Sequence, residues 1–176
     1  THALSHNLQR CRRAAGDTKV WAVVKANAYG HGIERVYESL RAADGFAMLD
    51  LAEAQRVREL GWRGPILLLE GVFEPRDLEL CSRLQLWHSV HHEAQIDMLA
   101  SHKTLQPHKV FLKINTGMNR LGFAPQRARS VWTRLPARPQ VDEVALMTHV
   151  ATADVAQPDF HAAWQLFTQC TADLPA

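Results

Sequence analysis

The sequence has no run of about 18 apolar residues, so no segment of it reads as a membrane-spanning helix. It has little excess of charge: 20 Lys and Arg against 18 Asp and Glu leave +2 with histidine neutral. That balance gives no reason to expect nucleic acid or an anionic membrane as the main partner. Cysteine is scarce. Cys11, Cys81 and Cys170 are odd in number, widely spaced and free of any CxxC, the pattern of reduced, mostly buried thiols in a cytoplasmic protein rather than of a disulfide framework. No basic stretch followed by an apolar segment opens the chain, so no export leader is legible, and a first residue of Thr points to a native chain that starts earlier. Neither GxGxxG nor GxxxxGK[ST] occurs, which leaves a dinucleotide or P-loop reading without support. No repeat, low-complexity tract or linker divides the chain.

What is present is enough apolar material for one sizeable core: 176 residues, 47% hydrophobic and 22% charged. Six short apolar runs predict strands at 20–24, 45–49, 66–69, 86–90, 110–114 and 141–148. Between them apolar residues recur at helical spacing, as in Ile33, Val36, Tyr37 and Leu40, or Leu51, Ala54, Val57 and Leu60. Leu4, Leu8, Cys11 and Ala15 predict a helix before the first strand. Phe160, Ala163, Trp164 and Phe167 predict one after the last, starting at Pro158-Asp159. Steady βα alternation implies parallel strands with right-handed crossovers. An open doubly wound sheet and a (β/α)8 barrel both fit, and six units without further information favour the open sheet.

Three segments carry chemistry. In Trp21-Ala-Val-Val-Lys25-Ala-Asn-Ala-Tyr29-Gly-His31-Gly32 a lysine follows an apolar strand directly. It lies at the strand's C-terminal end, where both α/β architectures place their sites. Alternation puts Lys25 on the face of Trp21 and Val23, and desolvation there favours a neutral, nucleophilic amine. Taken alone, the residue reads first as a strand-end lysine snorkelling to solvent. The glycines allow a tight turn into the helix at Ile33, whose first amides offer a place for an anion. In the second segment, Val110–Phe123, Lys113 lies within a strand and Arg120 follows a polar, glycine-containing turn. Arg120 offers a planar fork for a carboxylate or phosphate, or is simply exposed on a turn. His149 ends the third run, as an acid/base group, a ring-packing group or a support. His88, His91 and His92 lack the spacing of a metal site, and no metal is expected.

With these residues in view a resemblance emerges. AVVKANAYGHG at 22–32, LKINTGMNRLGF at 112–123 and MTHVATAD at 147–154 resemble alanine racemase, the pyridoxal-phosphate enzyme family of bacterial wall synthesis, through essentially the whole chain. The resemblance implies α/β architecture of the (β/α)8 TIM-barrel type, with about six of eight βα units present. Residues 1–176 would then be a partial N-terminal barrel domain, without the last two strands and the C-terminal β domain. It implies pyridoxal 5'-phosphate as cofactor, bound covalently by Lys25, which then serves as one of two catalytic bases. Tyr29 would bond the cofactor phosphate, and His149 would lie beside the pyridine ring. Arg120 would sit by the phenolic oxygen and hold the substrate carboxylate. Lys113 matches a lysine that is carbamylated in many family members and orients that arginine. Asn115 departs from the family, which commonly has Asp there.

The second base in the family is a tyrosine from a partner subunit's C-terminal domain. The resemblance therefore implies a cytoplasmic homodimer in the full-length form, interconverting L- and D-alanine for peptidoglycan, and little activity from this chain alone. Two other classes remain open: a non-catalytic pyridoxal-phosphate carrier, and a structural fragment completed by association through its open sheet edges. Alanine against serine as substrate also stays open.

Overall fold

The computed structural model describes residues 2–103, 106–154 and 158–175, without the side chains of 158–160. Two compact units make up the chain: Thr1–Leu69 with Arg83–Trp87, and Glu70–Ser82 with His88–Ala176.

The first unit opens with α1 (His2–Ala15), followed by β1 (Trp21–Val23), α2 (Ile33–Leu40), β2 (Gly45–Met48), α3 (Leu51–Glu59) and β3 (Ile66–Leu68). The strands pair in parallel and in chain order, with Ala22 opposite Phe46 and Phe46 opposite Ile66. All four residues of β2 are buried, as a parallel strand covered on both faces requires. Gly45 is dictated by its neighbour, because a Cβ there would stand 2.6 Å from the Trp21 ring. Helix α2 buries Ile33, Val36 and Tyr37, the stripe its spacing predicts. Helix α3 starts at Asp50, whose carboxylate accepts from the amides of Ala52 and Glu53 at 2.7 and 3.2 Å.

Helix α4 (Pro75–Leu84) and strand β4 (Trp87–Val90) carry the chain between the units. The second unit adds α5 (Glu93–Ser101), β5 (His108–Lys113), α6 (Ala128–Trp132) behind a 3-10 turn at Pro125–Arg127, β6 (Val141–Met147) and α7 (Pro158–Thr171). Here too the pairings are parallel and sequential, β4 to β5 and β5 to β6. Strands that keep chain order, each followed by a helix, follow a (β/α)8 barrel rather than a doubly wound sheet, whose order reverses at a switch point. The open sheet favoured by pattern alone is thereby corrected.

Two local expectations also change. Cys11 is exposed rather than buried, while Cys81 is buried and its thiol pushed up to about 12, chiefly by desolvation. On α7, Ala163 and Phe167 are half-buried but Trp164 is 54% exposed, so the predicted apolar face is only partly covered; the Phe160 side chain lies outside the described residues.

The histidines singled out above have separate duties. His92 caps α5 through Nδ1, which accepts from the Ala94 amide at 3.2 Å. His91 Nε2 donates to the Glu70 carbonyl at 2.9 Å. His88 and His108 are buried and linked, His88 Nε2 to His108 Nδ1 at 3.3 Å. Ser82 Oγ donates to the Gln106 carbonyl at 3.2 Å and so accepts from His108 Nε2 at 3.4 Å. This chain of bonds makes His108 Nε2 and His88 Nε2 the protonated nitrogens and leaves His88 Nδ1 buried without a partner among the described residues. Desolvation lowers His88 to about 3 and His108 to about 4, with each adjacent histidine adding to it.

Folded, both rings bind a proton less readily than in the unfolded chain, where the value is near 6.5. Their contribution to stability is therefore complete above pH 6.5 and is lost as the pH falls below it. Each histidine costs on the order of 2 kcal/mol by pH 5. Urea unfolding at pH 7.5 and 5.0 should show this loss, and His108→Gln should flatten it; equal slopes would show the rings to be protonated in the fold. Gly71, at φ +72°, supplies a second check, since a Cβ would lie 2.1 Å from the Ser89 carbonyl oxygen. Gly71→Ala should cost about 2–4 kcal/mol in the same assay.

Candidate cofactor and active site

In the first unit the site is built at the end of β1. The Val24 amide donates to the Ala47 carbonyl at 2.8 Å, and the chain then turns through Lys25–Tyr29. The turn is left-handed: Ala26, Asn27, Ala28 and Tyr29 have φ of 53°, 53°, 56° and 54°. For L-residues this hand costs about 1–2 kcal/mol per residue, least for Asn, so the surroundings must hold it. Inside the turn the Ala28 amide donates to Val24 O at 2.8 Å and the Gly30 amide to Ala26 O at 2.9 Å. Gly30 and Gly32, at φ 82° and 89°, release the chain into α2.

The turn sets Lys25 and Tyr29 side by side, with Lys25 Nζ 5.9 Å from the Tyr29 ring centroid. Lys25 is half-buried rather than fully desolvated, and Tyr29 is 59% exposed. Val23, on the same strand face as Lys25, is also exposed. The amide expected to offer an anion site at α2 is otherwise engaged: Ile33 N donates to Asn27 Oδ1 at 3.1 Å. Asn27 Oδ1 also accepts from Arg56 Nη2 at 3.0 Å, while Glu53 Oε1 accepts the Asn27 amide. Arg56 grips Glu34 with two bonds of 2.8 and 2.7 Å, which holds the Glu34 carboxyl below its usual range.

In the second unit Lys113 ends β5 and is buried, whereas Arg120 and His149 are exposed. Lys113 lies close enough to His91 to oppose its protonation, after the larger effect of burial. The loop between Lys113 and Arg120 is tightly organised. Asn115 Oδ1 accepts from the amides of Gly117 and Asn119 at 3.1 and 3.0 Å. Its Nδ2 donates to Asn119 Oδ1 at 3.0 Å. Gly122, at φ +127°, lets the loop close, because a Cβ would stand 2.6 Å from the Asn115 amide nitrogen. Phe123 then returns to β5, its amide donating to Lys113 O at 2.9 Å. Thr148 Oγ1 donates to Ile114 O at 2.9 Å and so accepts from Thr116 Oγ1 at 2.7 Å. This pair fastens the second motif to the third. A cleft of about 380 Å³ opens beside it, lined by Thr116, Gly117, Met118, His149, Val150 and residues of α7. Arg120 is not among its lining residues.

Sequence reasoning missed Glu34, Glu53, Arg56 and Gln95. Gln95 is buried and bonds the Glu70 and Val72 carbonyls at 3.0 and 3.2 Å. None of the four lies in a motif, and only Glu53, three residues after Asp50, carried a sequence signal, that of a helix start.

Parallel strands in chain order, each followed by a helix, with a lysine at the end of β1 and an arginine-bearing loop after β5, place the chain in the (β/α)8 barrel class. The family model for the alanine racemase N-terminal domain matches residues 1–176, and the chain belongs to that family. It is 71% identical over 173 residues to alanine racemase of Acidovorax sp. (strain JS42), covering 98% of this chain and 47% of that protein. The biosynthetic alanine racemase of Pseudomonas aeruginosa superposes with a TM-score of 0.89 at 35% identity, over 99% of this chain and 49% of the other. A histidine racemase from Leuconostoc mesenteroides matches with a TM-score of 0.83 at 28% identity, over 99% and 48%. The chain thus spans about half the length of the relatives it matches.

The departure at Asn115 makes a prediction. Asp at this position keeps the oxygen that accepts from both loop amides and needs only a rotation of the Asn119 amide, so Asn115→Asp should be nearly neutral. Asn115→Ala leaves the loop amides without an acceptor and should cost about 1–2 kcal/mol in urea unfolding. Equal losses from both substitutions would show that the Nδ2 bond to Asn119 matters more.

Proposed function

We propose that this chain is the cofactor-holding part of a pyridoxal-phosphate-dependent alanine racemase, and that the whole protein interconverts L- and D-alanine. The observation that carries the reading is the left-handed turn, which presents the Lys25 amine and the Tyr29 phenol together at the end of β1. These residues fit the cofactor: a half-buried amine can reach an aldehyde, and an exposed phenolic hydroxyl can donate to a phosphate oxygen. When bound, pyridoxal phosphate supplies the electron sink that makes the α-proton of an amino acid acidic.

The chain's own residues do the rest. Lys25 would hold the cofactor at Nζ, and the same atom would take or return the α-proton. Tyr29 would anchor the phosphate. Arg120 would offer its planar fork to the substrate carboxylate and the phenolic oxygen, and His149 would lie by the pyridine ring. Lys113, as a carbamate, would turn a buried cation into an anion that orients Arg120. The opposite proton needs a second base, which in this reading comes from a partner subunit of a homodimer. Cytoplasmic D-alanine supply for peptidoglycan is the role that follows. The histidine racemase on the same fold shows why alanine itself rests on the closer relatives.

An absorbance titration with pyridoxal phosphate tests the reading. The wild-type chain should develop a near-visible band that borohydride traps on Lys25, and Lys25→Ala should not. The chain alone should racemise alanine at no more than a trace rate. A trapped adduct of equal yield in Lys25→Ala would remove Lys25 from its role. A band with no contribution from Arg120, tested as Arg120→Ala, would favour a simple carrier.

A further inference from the structure

We propose that Glu53 and Arg56 on α3 are positioning residues for Lys25, acting as a polar clamp that holds the left-handed turn in its hand. The proposal rests on the reading of Lys25 as the cofactor lysine and deepens it.

The turn asks for such a clamp. Three of its four left-handed residues are Ala26, Ala28 and Tyr29, which have no intrinsic reason to take a positive φ. Its internal backbone bonds alone do not choose the hand, because a right-handed turn would form equivalent ones. The groups specific to the observed hand are those meeting Asn27. Glu53 Oε1 accepts from the Asn27 amide, and Arg56 Nη2 donates to Asn27 Oδ1 at 3.0 Å. The same Oδ1 receives the Ile33 amide at 3.1 Å and so ties the turn to the start of α2. Arg56 is itself held by its two bonds to Glu34. Every member belongs to the first unit.

Two features separate this arrangement from an ordinary surface ion pair. Glu53 Oε2 is buried with no hydrogen-bond partner among the described residues, a cost with no structural return apart from the clamp. Asp50 bonds the Glu53 amide, so the cap of α3 fixes the residue that fixes the turn. The Arg56–Glu34 pair is itself substantially exposed and contributes little to global stability. Its loss should therefore be felt locally, in where the Lys25 amine stands.

The test uses the full chain with Glu53→Ala, Glu53→Gln and Arg56→Gln beside wild type and Lys25→Ala. Three readouts are taken: half-saturation of the Lys25-dependent band by pyridoxal phosphate, amide exchange without cofactor, and the thermal midpoint. Glu53→Ala and Arg56→Gln should raise half-saturation at least about tenfold and speed exchange of the Ala28 and Gly30 amides by a similar factor. Their thermal midpoints should move by less than about 4 °C. Glu53→Gln, which keeps an acceptor for the Asn27 amide, should restore both local readouts. Variants that bind and exchange like wild type overturn the clamp while leaving the cofactor reading intact. Loss of binding in step with the thermal midpoint and with exchange in β2 also overturns it, as a general structural effect. Absence of a Lys25-dependent band in wild type defeats the cofactor reading first, and the positioning role with it.

Discussion

The wrong-handed turn after β1 is the constraint on which the rest of the first unit depends. A strand ending in a right-handed helical turn would aim the residue after Val24 differently and leave Asn27 without the two groups that meet it. Once the turn is left-handed, several sequence choices follow. Glycines are needed at 30 and 32 to leave it. A short side chain is needed at Ala28, which is buried. An asparagine is the cheapest residue at 27, since it tolerates the left-handed region and carries an acceptor. The length of α3 and its cap at Asp50 then set the clamp residues at the right height. Strain at the site is thus balanced by polar contacts from a neighbouring helix, not by extra core.

The second unit handles its polar groups in a different way. Its loop from Asn115 to Phe123 satisfies itself through one asparagine side chain and returns to the strand it left. A hydroxyl pair, Thr116 with Thr148, then fastens this loop to the segment carrying His149. Directionality makes the pair specific: the single Thr148 proton goes to the Ile114 carbonyl, so Thr116 has to donate. The buried histidines at the opposite, N-terminal end of β4 and β5 stay neutral for lack of solvent and serve as hydrogen-bonding core residues.

Much of the fold was legible because it rests on local periodicity. All six strands and the helices with an i, i+3, i+4 stripe fall where apolar spacing puts them, within a residue or two. Strand order was not legible, since pairing is a long-range property that alternation does not encode; the motifs at 22–32 and 112–123 decided it. The placement of Lys25 at a strand end was readable from VWAVVK. Its left-handed surroundings were not, because only Asn27 favours that hand, Ala26, Ala28 and Tyr29 carry no mark of it, and the clamp lies over twenty residues away. The exposure of Cys11 and Trp164 was missed for a related reason. Helical spacing says which residues share a face, not whether anything covers it.

The hand of the turn has a stereochemical corollary. A D-amino acid has its energy minimum where an L-residue has its strain, so the backbone at 26 and 28 is shaped for mirror-image residues. A semisynthetic chain carrying D-alanine at position 26, where the residue is exposed, would lose the methyl–carbonyl crowding of the left-handed backbone and leave the bonds to Asn27 in place. This one stretch of an otherwise L-configured protein would be more at ease with the opposite enantiomer of its own residue.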